Sequence, residues 1–209
     1  NISSHKEILS QYFKIITPHK DIIQNIYDKY KLATISKNIK VPIPITLTPE
    51  EAQNEQSVNF PVLIKGREGL NFYKHFKTKI FIANNKNELT QILATISKSF
   101  PLNNIIIQEL IPYSKNNKVI SFTAFSINGE IKSFWMGAKL REHPWRYGTA
   151  TYCISTFIKE LIPPSSNIIK ELNYTGVCEI EYLLDPRDNQ YKLIEINART
   201  WLWVGLAKD

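Results

Sequence analysis

Residues Glu179 to Arg199 read Glu-Ile-Glu-Tyr-Leu-Leu-Asp-Pro-Arg-Asp-Asn-Gln-Tyr-Lys-Leu-Ile-Glu-Ile-Asn-Ala-Arg, two alternating runs around a segment rich in Pro, Asp and Asn. Such a pattern folds as a β-hairpin with a loop of several residues. Side chains alternate across a strand, so Glu179 and Glu181 share one face while Ile180, Tyr182 and Leu184 take the other. On the second run Glu195 and Asn197 share a face, opposite Ile194 and Ile196. The apolar faces must coincide, because a slip of one residue would bury the carboxylates and expose the isoleucines. With Pro186 to Gln190 as the loop, Glu181 lies opposite Glu195 and Glu179 opposite Asn197. Any loop of the same parity keeps all four groups on one face.

Carboxylates that face each other destabilise a hairpin unless something neutralises them, and their repulsion should raise at least one pKa. Hard oxygen ligands with one amide suit Mg²⁺, which usually keeps waters and bridges substrate phosphates. The plainer reading is a solvated hairpin face with ion-pair partners close by, Lys192 or Arg199 for example.

The other constraints are broader. A chain of 209 residues can bury a sizeable core as one domain or two small ones. It contains no run of about 18 uncharged apolar residues, which argues against a membrane span. Asn1 to Ser10 is polar and unlike a signal peptide. The chain starts without Met and stops in an apolar stretch, Trp201 to Ala207, which reads as a piece cut from a longer protein. A net charge of +7 favours an anionic partner, either nucleic acid or nucleotide phosphate, or else a merely solubilising surface. The lysines are dispersed, which weakens the nucleic-acid reading. Two cysteines, Cys153 and Cys178, are too few for a disulfide framework or a zinc site, and the four histidines fall at no ligand spacing. They read as buried thiols of a protein in the reducing cytoplasm.

Along the chain, residues 6–40 read as helical. Asp21 to Ile35 form one amphipathic helix with Ile22, Ile26, Tyr30 and Ala33 on a stripe, set off by Pro18. Val41 to Thr46, with two prolines, is an extended connector, and Pro49 opens a helix. Strands follow at 60–65, 79–83 and 104–111, with a helix at 85–98 burying Leu89, Ile92, Leu93 and Ile96. This β-β-α-β order reads as one small α+β unit, bounded near Pro112. A hairpin then turns at Asn128-Gly129, and a basic aromatic segment, Lys139 to Gly148, precedes a strand at 149–157. Ser165 or Ser166 caps a helix running to Leu172.

Three smaller features bear on chemistry. Lys65 ends an apolar strand beside Gly66 and can hold a phosphate as a point charge. With only Gly66 and Gly69 nearby, no phosphate cradle of the GxxxxGK[ST] or GxGxxG kind occurs. Gln108-Glu109-Leu110-Ile111-Pro112 leaves a strand and breaks, freeing backbone groups for a planar base. Lys139 and Arg141 point the same way on an extended backbone, and with Arg146, Trp145 and Tyr147 they form either an anion clamp or a stacking loop for RNA.

The order of Asp28-Lys29, Phe60 to Lys65, Gln108 to Ile111, Gly176 to Glu181 and Leu193 to Arg199 resembles the ATP-grasp superfamily over nearly the whole chain. Its most specific part is a Glu-ending strand followed by Glu-x-Asn-x-Arg. The pattern is most similar to D-aspartate-ligase-like and carbamoyl-phosphate-synthetase-like carboxylate–amine ligases. The resemblance implies an α+β fold in which a small lid subdomain packs over a larger antiparallel-sheet subdomain. Residues 1–44 would be a helical lead-in and connector, 45–112 the lid, and 113–209 a truncated C-terminal subdomain with the metal site. ATP and Mg²⁺ are the implied cofactors. Lys29 and Lys65 would bind phosphates, Gln108, Glu109, Leu110 and Ile111 the adenine, and Asn116 or Asn117 the ribose. Glu181, Glu195 and Asn197 would ligate Mg²⁺, while Arg199, Arg141 and Lys65 would assist catalysis.

Two departures stand out. Many relatives have a Gly-rich loop after the lid lysine, where this chain has a bulkier loop from Gly66 to His75. The resemblance also implies a substrate-binding domain ahead of this region, which these 209 residues would not include. The implied reaction joins a small-molecule carboxylate to an amine through an acyl-phosphate, with neither nucleic acid nor membrane as partner. The alternatives are an ATP-binding protein of this fold without ligase activity and a nucleic-acid-binding module resting on the +7 charge.

Overall fold

Two antiparallel sheets organise the chain in a computed structural model that describes residues 2–54, 58–114, 118–143 and 148–208. Helix α1 (Lys6–Leu9) is short, and α2 (Lys20–Tyr27) and α3 (Lys29–Asn38) follow it. The single helix expected from Asp21 to Ile35 is therefore broken at Asp28. That residue has extended backbone and accepts the amides of Tyr30 and Lys31, a side-chain cap that restarts the helix. Arg67 donates to both oxygens of the same carboxylate, so the break is tied to a residue 39 positions on, and Lys29 stands in the first turn of α3.

The smaller sheet comprises β1 (Thr46–Leu47), β2 (Val62–Gly66), β3 (Phe81–Ala83) and β4 (Ile105–Glu109), in the order β1-β4-β2-β3. With it go α4 (Pro49–Asn54), α5 (Gly69–Phe76) and α6 (Lys86–Ser97). Helix α5 occupies what the sequence suggested was a loop, so the β-β-α-β reading missed one helix. Phe72 explains it: fully buried, its ring packs against those of Phe76, Phe81 and Phe100. Gly66 is required by the same packing, since a Cβ there would lie 2.4 Å from the Phe72 Cβ. Helix α6 buries Leu89, Leu93 and Ile96 as the periodicity predicts.

The larger sheet runs β7-β6-β5-β8-β9, from β5 (Val119–Ile127), β6 (Glu130–His143), β7 (Thr149–Ser155), β8 (Gly176–Asp185) and β9 (Gln190–Asn197). Its strand β6 continues past the expected end at Met136 through Lys139 to His143, the start of the basic aromatic segment, and residues 144–147 lie outside the described residues. Helix α7 (Ile162–Glu171) starts before the expected serine cap, with prolines in its first turn. Ser165 instead lies buried, 3.0 Å from the Tyr182 hydroxyl. Cys178 is buried as expected, while Cys153 is half-exposed.

Each sheet has its own core. Val62, Ile64, Phe72, Leu93 and Ile107 centre the smaller one. Phe122, Met136, Leu161, Ile168 and Tyr182 centre the larger, which also takes in Ile26, Leu32 and Val41. Residues 1–44, read from sequence as a lead-in, thus share the core of the larger sheet. Among the described residues no helix is long and apolar enough to cross a membrane.

On the larger sheet, Trp135 stacks on Trp201 and meets Trp203 edge-on, and the rings of Trp135 and Trp203 lie over Gly137. A Cβ at position 137 would fall 2.3 Å from the Trp203 ring and 2.6 Å from that of Trp135. Gly137→Ala should therefore destabilise the fold by about 1–3 kcal/mol and shift the tryptophan emission spectrum. Unchanged emission and an unchanged denaturation midpoint would show that the indoles move aside freely.

Candidate active site

Strands β8 and β9 place Glu181 opposite Glu195 and Glu179 opposite Asn197, as the alternation predicts, but by a different route. The turn is one residue shorter than expected, pairing Asp185 with Gln190, which by itself would put the acidic residues out of step. A register shift between Glu181 and Tyr182 restores the pairing, because Tyr182 meets Leu193 and Glu181 meets Glu195. Ile194 is the extra residue of this bulge, and its side chain lines the cleft rather than following Ile196 into the core.

Two adjoining cavities meet over this hairpin. The first, about 620 Å³, is lined by Gln108, Glu109, Leu110 and Ile111 from the end of β4, with Leu140 and Arg141 facing them from β6. The second, about 580 Å³, is lined by Lys29, Glu181, Glu195, Asn197 and Arg199. Lys65 and Lys139 line both, so the pair forms one continuous cleft between the sheets. Of the residues singled out from sequence, Lys29, Lys65, Glu181, Glu195, Asn197 and Arg199 come together in the second cavity. Arg141 lies in the first only, displaced by a bulge between it and Lys139. Asn116 and Asn117 lie outside the described residues.

The acidic face has partners other than the two expected. Lys192 pairs with Glu109 and Asp185, and Arg199 donates to the Thr200 carbonyl and, at 3.5 Å, to the Asn197 amide oxygen, but to none of the three carboxylates. The ammonium that reaches the carboxylates is that of Lys139, 2.8 Å from Glu181 and 3.7 Å from Glu179, while Lys29 approaches Glu195 at 3.4 Å. Glu179 is buried and accepts from the Ser121 hydroxyl. Lys139 and Glu179 were missed as partners because 42 and 58 residues separate the bonded groups. Only the pairing of β5 with both β6 and β8 brings them together.

The expected repulsion falls on one carboxylate. Burial, helped by Glu179 and Glu195, pushes Glu181 up to about 7 against the pull of Lys139. Burial works in the same direction on Glu195, but Lys29 and Lys65 outweigh it and hold that carboxyl below its ordinary value. For Lys139 burial opposes the charge, yet Glu181 and Glu179 raise its pKa overall. Lys65, only 9% exposed in the middle of the smaller sheet, is lowered to about 7 by burial and by Lys29.

Two carboxylates and an amide on one strand pair form a donor set that suits a hard divalent cation. Among the described residues no three Asp, Glu, His or Cys side chains converge as a complete cage. A cation held by this set would take its remaining oxygen ligands from outside these side chains.

Comparison with known proteins supports the same architecture. Biotin carboxylase from Campylobacter jejuni, solved as a β,γ-ATP complex, matches 99% of this chain and 49% of its own, with a TM-score of 0.72 at 16% identity. The biotin carboxylase domain of Hydrogenobacter thermophilus 2-oxoglutarate carboxylase, solved with MgADP and bicarbonate, matches 96% of this chain and 46% of its own, with a TM-score of 0.70 at 18% identity. This chain has the ATP-grasp fold. A family described as carbamoyl-phosphate synthase L chain, ATP binding domain, matches residues 155–207 of this chain, which include β8 and β9. In sequence it is similar to the D-aspartate ligase of Enterococcus faecium (strain Aus0004), 25% identical over 212 residues that cover 95% of the chain and 50% of that ligase. The chain spans about half the length of each of these proteins.

Proposed function

We propose that this chain is the nucleotide-binding and catalytic part of an ATP-dependent carboxylate–amine ligase. The observation that carries the reading is the meeting of Glu181, Glu195 and Asn197 with Lys29 and Lys65 in one cleft, beside an apolar cavity at the end of β4. The similarity to a D-aspartate ligase supports carbon–nitrogen bond formation. In this reading adenine sits in the first cavity, against backbone groups of Glu109 and Ile111. Gln108, whose side chain donates to Thr46, keeps the strand end in place. Lys65, at the junction of the cavities, and Lys29 hold phosphate oxygens.

Glu181 and Glu195, with Asn197, would hold Mg²⁺, which supplies a Lewis acid and a template for the phosphate oxygens. The substrate carboxylate attacks the γ-phosphorus as the bond to ADP breaks, giving an acyl-phosphate. An amine then attacks the acyl carbon and phosphate leaves. The protein contributes position and fixed charge, with Arg199 at the mouth of the second cavity and Arg141 on the side of the first. Subdomains at 45–112 and 113–209 close on the nucleotide between them.

The test is an ADP-release screen of the full-length protein against pooled amino acids, dicarboxylates and amines. Release that requires both a carboxylate and an amine supports the ligase. Tight Mg·ATP binding with no release in any pool favours a nucleotide-binding protein without ligase activity.

Lys65 gives a sharper check on the nucleotide site. Charge-assisted contacts contribute about 1.5–3 kcal/mol, so Lys65→Ala should weaken ATP binding roughly tenfold to a hundredfold in calorimetry. Burial disfavours the ammonium in the free protein, whereas a phosphate favours it. Binding at pH 8 should therefore take up a proton, seen as a buffer-dependent heat that the variant lacks. The same shift makes the fold gain stability as pH rises from about 7 toward 10.5, since only the unfolded chain stays protonated there. Equal affinities for wild type and variant would make Lys65 an ordinary buried lysine.

A further inference from the structure

We propose that Lys139 is a built-in counter-cation of the acidic face, which a divalent cation must displace, so that bare metal binds poorly and cation and nucleotide enter together. The inference rests on the metal reading of Glu181, Glu195 and Asn197. Its evidence is the arrangement around one oxygen. Glu181 Oε1 accepts from Lys139 Nζ at 2.8 Å and from Asn197 Nδ2 at 3.1 Å. Asn197 also donates to Glu179, at 3.3 Å. The lone pairs of that oxygen are thus committed to N–H donors. The amide presents its nitrogen to the carboxylates and its oxygen to Arg199 at 3.5 Å, so it would have to turn to offer oxygen to a metal. Lys139 is 9% exposed, so its ammonium is held there by the carboxylates and not by water.

The charge count points the same way. The wall of the second cavity carries five Lys and Arg side chains and four Glu. Adding a bare divalent cation would leave a large uncompensated positive charge in a partly buried cleft, which is unfavourable. A nucleoside triphosphate offsets that excess, and the displaced Lys139 needs no new site because its side chain lines both cavities. Cation binding is then conditional on the anion, a positive coupling between two ligands.

The experiment measures Mn²⁺ binding to the full-length protein by electron paramagnetic resonance, first without nucleotide and then with ADP. Wild-type protein should bind Mn²⁺ alone weakly and Mn²⁺ with ADP well. Lys139→Met keeps much of the side-chain volume without the charge, and should tighten binding of Mn²⁺ alone by about tenfold or more. Lys139→Arg should behave like wild type. If Lys139→Met fails to fold, Lys139→Gln, which retains a donor without the charge, carries the same comparison. Unchanged or weaker binding of Mn²⁺ alone by the folded uncharged variant overturns the proposal, as does wild-type affinity that ADP does not increase. Glu195→Gln separates the two levels. If it binds Mn·ADP like wild type, the metal reading itself falls; if it loses Mn·ADP while Lys139→Met changes nothing, only the counter-cation role falls.

Discussion

Asp185→Asn should destabilise the protein by about 3 kcal/mol, the low end of the 3–5 kcal/mol expected when one partner of a buried ion pair is removed. Asp185 is fully buried at the end of β8 and accepts from Arg187 at 2.9 and 3.1 Å and from Lys192 at 2.6 Å. Both cations also reach Glu109, at 2.8 and 3.2 Å, and the Glu109 carboxylate accepts the Ile45 amide. Arg187 is 38% exposed, so water can compensate part of its lost partner, which sets the lower figure. The network ties the last residue of β4, in the smaller sheet, to the hairpin of the larger one. Breaking it should therefore lower the melting temperature by roughly 6–12 °C and weaken ATP binding as well.

The pH dependence has a definite sign. Arg187, then Lys192, hold the Asp185 carboxyl well below the ordinary carboxylate range despite its burial. As pH falls, the unfolded chain takes up this proton before the folded one does. The stabilisation is complete above about pH 4 and fades as the pH drops further toward the depressed folded value. The variant should lose part of the acid-limb slope seen in wild type. Denaturant melts at pH 7 and pH 3 check both points, and a loss under about 1 kcal/mol at pH 7 would reduce the network to surface pairing.

Glu195→Gln is expected to leave the free protein within about 1 kcal/mol of wild type yet remove most of the stabilisation given by Mg·ATP. The first half follows from the surroundings of Glu195. Its contact with Lys29 is long, 3.4 Å, and its side chain is 43% exposed, while its charge adds to the repulsion on Glu181. These two small effects oppose each other. The second half follows from the proposed metal role. A ligand at a hundredfold excess over its Kd stabilises by about 2.7 kcal/mol, and a Gln that cannot supply the charge should forfeit most of that. Thermal melts of both proteins, with and without Mg·ATP, give four numbers. A variant that melts much lower alone but keeps the full nucleotide shift would make Glu195 structural and sink the metal reading.

The sequence determined by itself which side chains can share a face. Alternation in 179–182 and 195–197 put Glu179, Glu181, Glu195 and Asn197 together, because the period of a strand is fixed by covalent geometry. It also made Lys65 end an apolar strand and placed the inward stripe of α6. Tertiary structure decided the rest. The short turn and the bulge at Ile194 jointly set the register, since neither a turn type nor a bulge is written in alternation alone. Packing of Phe72 under Gly66 turned an apparent loop into α5. The cap at Asp28, strengthened by Arg67 from 39 residues away, broke an otherwise continuous helical pattern. The choice of counter-cations was least legible: Lys192 is the near neighbour in sequence, but it is drawn to Glu109 and Asp185, and Lys139 takes the acidic face. Charge attraction acts through space, and only the order of β6, β5 and β8 in the sheet puts that ammonium within reach of Glu181.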